Sequence, residues 1–112
     1  MFAGIYSARF MSNNTPVGSG IVVIDGASLH GGDLDYLYKG KYRLSDSKLS
    51  ATVDVENYTG NLNSVLGPLP SFRLTLNGVM GPGGFSLSGA VDGRPDLMIR
   101  IELTKISELV DQ

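Results

Sequence analysis

A chain of 112 residues has room for one hydrophobic core, so we expect a single domain spanning residues 1–112. Nine Lys and Arg against eleven Asp and Glu give a formal charge of −2 without a block of either sign, which argues against a nucleic-acid surface or an anionic membrane surface. Cysteine is absent, which excludes disulfides, thiolate metal sites and cysteine nucleophiles. No apolar run is long enough for a signal peptide or a membrane span, so we expect a soluble, cytoplasmic protein.

The first part of the chain predicts three strands separated by turn-forming residues. Strands are expected at Phe2–Met11 and Val17–Asp25, joined by a cluster of turn formers at 12–16. A short third piece, Ala27–His30, is expected to end at Gly31-Gly32-Asp33, where two glycines permit a sharp reversal.

A strand at Tyr36–Leu44 has an apolar face and a basic face. A two-residue turn at Asp46-Ser47 sets the register with the following strand, which places small apolar residues opposite the tyrosines. The same register accounts for the basic face by cross-strand pairing, so no binding site is needed to explain it. The expected pairs are Lys39 with Asp54, Lys41 with Thr52 and Arg43 with Ser50.

The longest irregular connection is expected at Thr59–Pro70, where glycines and prolines interrupt regular structure. It contains four apolar residues, which predict either a plug over one barrel mouth or a subunit contact: Leu62, Val65, Leu66 and Leu69. If the connection is the subunit contact, the substitution Leu66→Glu is expected to leave a folded monomer.

Strict alternation of apolar and polar residues dominates the second half of the chain. Two further hairpins turn at Gly81–Gly84 and Asp92–Pro95, and Ser107–Gln112 forms a short tail that is either one helical turn or frayed. No amphipathic helix can be placed, so the apolar faces have only each other to pack on. The pattern predicts an all-β fold, an antiparallel up-and-down barrel of seven to eight strands.

The residues contain no catalytic, metal-binding or cofactor-binding motif. There is one histidine, His30, and no Gly-x-Ser-x-Gly nucleophile elbow. The glycine clusters lack the spacing and the following helix that a phosphate-binding loop needs. We therefore expect no enzyme activity and no cofactor.

Five aromatic residues are expected to point into the barrel: Tyr36, Tyr38, Tyr42, Phe72 and Phe85. Two function classes remain, a scaffold that binds another protein and a carrier of a small apolar ligand. Five rings in a short barrel favour the packed scaffold. The substitutions Val53→Trp and Gly89→Trp discriminate, because a packed interior rejects the ring and a cavity accepts it.

The pattern as a whole resembles the GrlR-like negative regulators of type III secretion. The residues that carry the resemblance are spread along most of the chain: Gly4-Ile5-Tyr6, Gly18-Ser19-Gly20-Ile21-Val22-Val23, Gly31-Gly32-Asp33, Tyr38-Lys39-Gly40, Ser64-Val65-Leu66-Gly67-Pro68 and Leu87-Ser88-Gly89.

This resemblance implies a lipocalin-like barrel of eight strands, a bacterial cytoplasmic homodimer, and a regulatory partner, a transcriptional activator held inactive. In the enteric members an acidic surface loop of four alternating Glu and Asp residues binds the activator. The matching loop here is Ser45-Asp46-Ser47-Lys48, in which Asp46 alone keeps the acidic charge.

Overall fold

A computed structural model describes residues 2–13, 17–64 and 66–110. Within these ranges the chain forms strands and no helix. The eight strands are β1 (Gly4–Ser12), β2 (Val17–Ile24), β3 (Ser28–Gly32), β4 (Tyr36–Ser45), β5 (Lys48–Asn57), β6 (Ser71–Gly81), β7 (Gly84–Val91) and β8 (Arg94–Ser107).

The strands form one closed antiparallel barrel. Each strand pairs with the next in the chain, and β8 returns to pair with β1, with Phe10 opposite Ile101. The up-and-down barrel is confirmed, with eight strands. Closure is the physical solution for a meander without helices, because it pairs every strand edge and encloses the inner apolar face of the sheet.

The predicted register between β4 and β5 is confirmed at every pair. Lys39 lies opposite Asp54, and the turn is made by the two residues Asp46 and Ser47. The ion pairs on this outer face run to other neighbours, with Lys39 Nζ 3.6 Å from Glu56 and Arg73 Nε 2.7 Å from Asp54. All four side chains are about half exposed, so these pairs are ordinary surface contacts.

The prediction for β3 was wrong at its end, because the strand continues through both glycines to Gly32. Neither glycine has a positive φ. Gly31 is instead required by close packing, because a Cβ atom there would lie 2.0 Å from the carbonyl oxygen of Ile21 on β2.

The core occupies the barrel interior, where alternate residues of every strand are buried, as β5 shows with Leu49, Ala51, Val53 and Val55. Strand β8 ends at Ser107, and residues 108–110 have no regular structure, so of the two alternatives for the tail the helical turn is absent there. Residues 111 and 112 of the predicted tail lie outside the described ranges. Across the described residues, no helix has the length and apolar character needed to cross a membrane.

Candidate binding site inside the barrel

An apolar cavity of about 270 Å³ lies inside the barrel. Its middle is lined by aliphatic side chains from opposite walls, among them Val22, Val53, Leu76 and Ile101. No buried side-chain nitrogen or oxygen in the described residues lacks a hydrogen-bond partner. A molecule in the middle of the barrel would therefore meet hydrocarbon and no free polar side-chain group.

The five aromatic residues expected to point inward do pack in or against the core, but they leave a cavity between them. Tyr36, Tyr38 and Phe85 are buried in the barrel, and Tyr42 and Phe72 are partly buried against the core. The rings pair near the two ends of the barrel, and the aliphatic middle stays open. The ring pairs in the described residues are Phe2 with Tyr42, Tyr6 with Phe85, Phe10 with Tyr38 and Tyr36 with Phe72.

One end of the barrel is closed by two of these ring pairs. Phe2 and Tyr42 meet edge to face with ring centroids 5.6 Å apart. The hydroxyl of Tyr42 donates to the carbonyl oxygen of Asp25 in the β2–β3 turn, and the hydroxyl of Tyr6 donates to the carbonyl oxygen of Phe2. The cavity does not reach this end, because its wall includes neither Phe2 nor Tyr42.

The cavity opens at the opposite end, beside the β3–β4 connection at residues 33–35, here called the mouth loop. Leu34 of this loop is 87% exposed and still lines the cavity, so the cavity reaches the surface there. One carboxylate oxygen of Asp33 accepts from the backbone N–H groups of Asp35 (2.9 Å) and Tyr36 (2.8 Å). This Asx-type turn fixes the shape of the mouth loop.

The other carboxylate oxygen of Asp33 accepts a hydrogen bond from the hydroxyl of Tyr38. Tyr38 lies on β4 and lines the cavity. Burial raises the pKa of the Tyr38 phenol, and its hydrogen bond to Asp33 raises it further. Asp33 and Tyr38 thus join the barrel wall to the mouth loop, and Tyr38 remains protonated at neutral pH.

The start of the long β5–β6 connection is tied to the same loop. Tyr58 donates its hydroxyl to the carbonyl oxygen of Asp33 at 2.8 Å. Thr59 donates to one carboxylate oxygen of Asp35 at 2.8 Å, and the side-chain amide of Asn63 donates to the other at 3.4 Å. Two connections that are distant in sequence therefore form one polar rim at the mouth.

The four apolar residues of the connection have different positions. Leu66 is buried at 2% exposure and lines the cavity, and Leu69 is partly buried against the core. Leu62 is 38% exposed, and Val65 lies outside the described residues. Because Leu66 points into the barrel, it has no surface to offer a second subunit, and Leu66→Glu would place a carboxylate in the apolar interior.

The loop Ser45-Asp46-Ser47-Lys48 lies at the opposite end from the mouth, at the β4–β5 turn, and all four residues are exposed. Asp46 adopts a positive φ of 58°, a conformation that Asp tolerates better than most residues. The sequence placed this turn correctly. Among the described residues, no other predicted site residue lies in this turn.

A second candidate surface lies on the outside of β1, β2 and β4, and we call it the outer apolar patch. Its residues are Ile5, Ile21, Val23 and Leu37. Ile21 and Leu37 are each 43% exposed. Both residues lie opposite Gly32 of β3, so no side chain separates them across that strand. The patch adjoins the exposed ion pair between Lys39 on β4 and Glu56 on β5.

Asp33 and Asp35 line the cavity mouth, and neither was identified from the sequence as a candidate site residue. The signal was present in Asp33-Leu34-Asp35-Tyr36, where an Asp two residues before another polar residue after a strand is typical of an Asx turn. In the described part of the chain, no group of three or more His, Cys, Asp and Glu side chains could hold a metal ion.

No protein-family model matches the chain, and no curated protein is significantly similar to it. The resemblance to the GrlR-like regulators therefore stays a prediction. The proposed function rests on the geometry of the barrel.

Proposed function

We propose that this chain is a non-enzymatic binding protein that holds one small apolar molecule inside its barrel. The observation that carries the proposal is the apolar cavity of about 270 Å³ with an opening at one end. A dry apolar cavity of about 150 Å³ accepts benzene, so by proportion this one accommodates roughly eleven non-hydrogen atoms. Eight-stranded barrels are just wide enough for one such ligand.

The first experiment is titration calorimetry with 1-octanol, a soluble molecule of suitable length. Wild-type protein is expected to bind it with negative heat-capacity change, because apolar surface is removed from water. The substitution Val53→Trp places an indole in the cavity and is expected to abolish binding while the barrel stays folded by circular dichroism.

The matched control is Val79→Trp, the same change at a residue of β6 that is 53% exposed outside the barrel. It is expected to bind 1-octanol as wild type does. Absence of binding by wild type, or equal binding by the Val53 and Val79 variants, would contradict the proposal. Gly89→Trp is not a useful test, because even a Cβ atom there would lie 1.9 Å from the carbonyl oxygen of Thr75.

A second candidate function is a regulatory protein-binding module, a negative regulator of type III secretion that sequesters a transcriptional activator in a bacterial cytoplasm. The resemblance described above supports it, and the outer apolar patch supports the homodimer that it implies. Two half-exposed aliphatic residues flank a glycine on this outer face, and such an apolar surface suits a second copy of the same chain.

Native mass spectrometry tests both candidates on gently purified protein. A species at twice 11.9 kDa favours the regulatory homodimer, and an added small mass on each subunit favours the binding protein. The two results are compatible, since the patch is outside the barrel and the cavity inside it. A bare monomer would count against both.

A further inference from the structure

The charged residues at the cavity mouth all carry the same sign. In the described residues, the charged side chains that line the cavity are those of Asp33 and Asp35. Both belong to the mouth loop, where the cavity meets solvent. A ligand whose tail fills the apolar middle must therefore place its head beside two carboxylates.

The two carboxylates differ in how many hydrogen bonds they can still accept. Asp33 uses both oxygens to hold the mouth loop and Tyr38. Asp35 accepts one hydrogen bond on each oxygen, at 2.8 Å from Thr59 and 3.4 Å from Asn63. Because a carboxylate has about four acceptor positions, Asp35 retains capacity for a further donor.

We propose that the cavity selects amphiphiles with a cationic head, such as an alkylammonium ion, over neutral and anionic molecules with the same tail; this rests on the proposed interior binding function. The apolar tail occupies the aliphatic middle, and the ammonium group lies at the mouth and donates to the free acceptor positions of Asp35. Attraction to both aspartates adds to the hydrogen bond.

An anionic head would be disfavoured for two reasons. A carboxylate at the mouth would be repelled by both aspartates, and it would have no proton to donate to Asp35. Carriers of fatty acids need a cation or several donors at the head position. The described wall of this cavity offers no cation. Its donors are the hydroxyls of Ser19 and Ser64, the side-chain amide of Asn63, which already donates to Asp35, and two tyrosine hydroxyls that are engaged elsewhere.

The test compares three molecules with one tail: octylamine, 1-octanol and octanoate, titrated calorimetrically at pH 7 in low salt. Octylamine is expected to bind wild type at least tenfold more tightly than octanoate, with 1-octanol between them. Raising the ionic strength to about 1 M is expected to reduce the ratio of octylamine affinity to octanoate affinity, because salt screens a head group that is solvated at the mouth.

The variant Asp35→Asn removes one charge without touching the Asp33 turn, and it is expected to reduce the octylamine-to-octanoate ratio at least threefold. The control is Asp46→Asn, the same charge change in the exposed turn at the closed end of the barrel, which is expected to leave the ratio unchanged.

Equal or tighter binding of octanoate to wild type would overturn the cationic preference while leaving interior binding intact. An unchanged ratio in Asp35→Asn would also overturn it. If none of the three molecules binds, the proposed function itself fails, so the two failures are distinguishable.

Discussion

Tyr38 connects the inside of the barrel to its mouth through one hydroxyl group. Its ring packs edge to face against Phe10 in the wall, and its hydroxyl donates to Asp33 in the mouth loop. Removing the hydroxyl deprives one carboxylate oxygen of Asp33 of its hydrogen-bond donor. The residue therefore contributes both to stability and to the shape of the opening.

Tyr38→Phe is expected to change how stability depends on alkaline pH. The pKa of Tyr38 is raised in the folded state above the unfolded value of about 10, so its contribution is complete below pH 10 and is lost as the pH rises further. Over that range one such group lowers the free energy of unfolding by at most about 1.4 kcal/mol per pH unit. Urea unfolding between pH 8 and 11.5 should show a shallower decline for the variant. Parallel curves for wild type and variant would contradict this.

Gly89 illustrates a different residue-scale constraint, the close approach of neighbouring strands. Gly89→Ala is expected to destabilise the fold by about 3 kcal/mol, because its Cβ would lie 1.9 Å from the Thr75 carbonyl oxygen and force β6 and β7 apart. Gly26→Ala is the control, since nothing lies within 4 Å of a Cβ there, and a change below about 0.5 kcal/mol is expected. Equal thermal unfolding midpoints for the two variants would contradict the argument.

At the scale of elements, the long β5–β6 connection is held by the buried side chain of Leu66 and by a set of hydrogen bonds to the mouth loop. Leu66 inserts into the barrel, while Asn57 donates its amide to the carbonyl oxygen of Asp35 at 3.1 Å. The connection is thus part of the barrel structure despite its lack of strands.

Leu66→Ala is expected to lower the free energy of unfolding by about 2–3 kcal/mol, because it removes buried methyl groups beside an existing cavity. Leu62→Ala, in the same connection but 38% exposed, is expected to cost less than about 0.5 kcal/mol. Chemical denaturation measures both. Similar losses for the two variants would mean that the connection is not anchored by Leu66.

The strand pairing was predictable where turn geometry and side-chain alternation agree. The two-residue turn at Asp46 and Ser47 fixed the pairing of Lys39 with Asp54, because a slip of one residue would turn the tyrosines outward. The end of β3 was missed, because close strand approach at Gly31 is indistinguishable from a turn signal in the sequence.

The candidate site was less predictable than the fold. The alternating pattern showed that five rings face inward but not how far along the barrel axis each one lies. The cavity depends on that axial position, since the rings collect near the ends. The polar rim joins Asp35 with Thr59 and Asn63, which are 24 and 28 residues away in sequence and meet only in the folded chain.

At the scale of the whole molecule, the outer apolar patch gives the homodimer proposal a specific surface. Ile21→Glu is expected to convert a dimer to a folded monomer, because it places a charge at the centre of an apolar contact. Light scattering after size exclusion measures the mass. Met98→Glu, on β8 and 57% exposed, is the control and should remain dimeric. A dimer that survives Ile21→Glu would place the interface elsewhere.

The pairing of β1 with β8 has a consequence for how the protein folds. Phe10 and Ile101 are direct partners across this seam although they lie at opposite ends of the chain. Contacts between such distant residues carry a large loop-closure entropy, and barrels dominated by them fold in milliseconds to seconds. During synthesis β1 must wait, with one edge exposed, until β8 leaves the ribosome. We expect aggregation during refolding to depend on protein concentration for the same reason, since another chain can occupy that edge first.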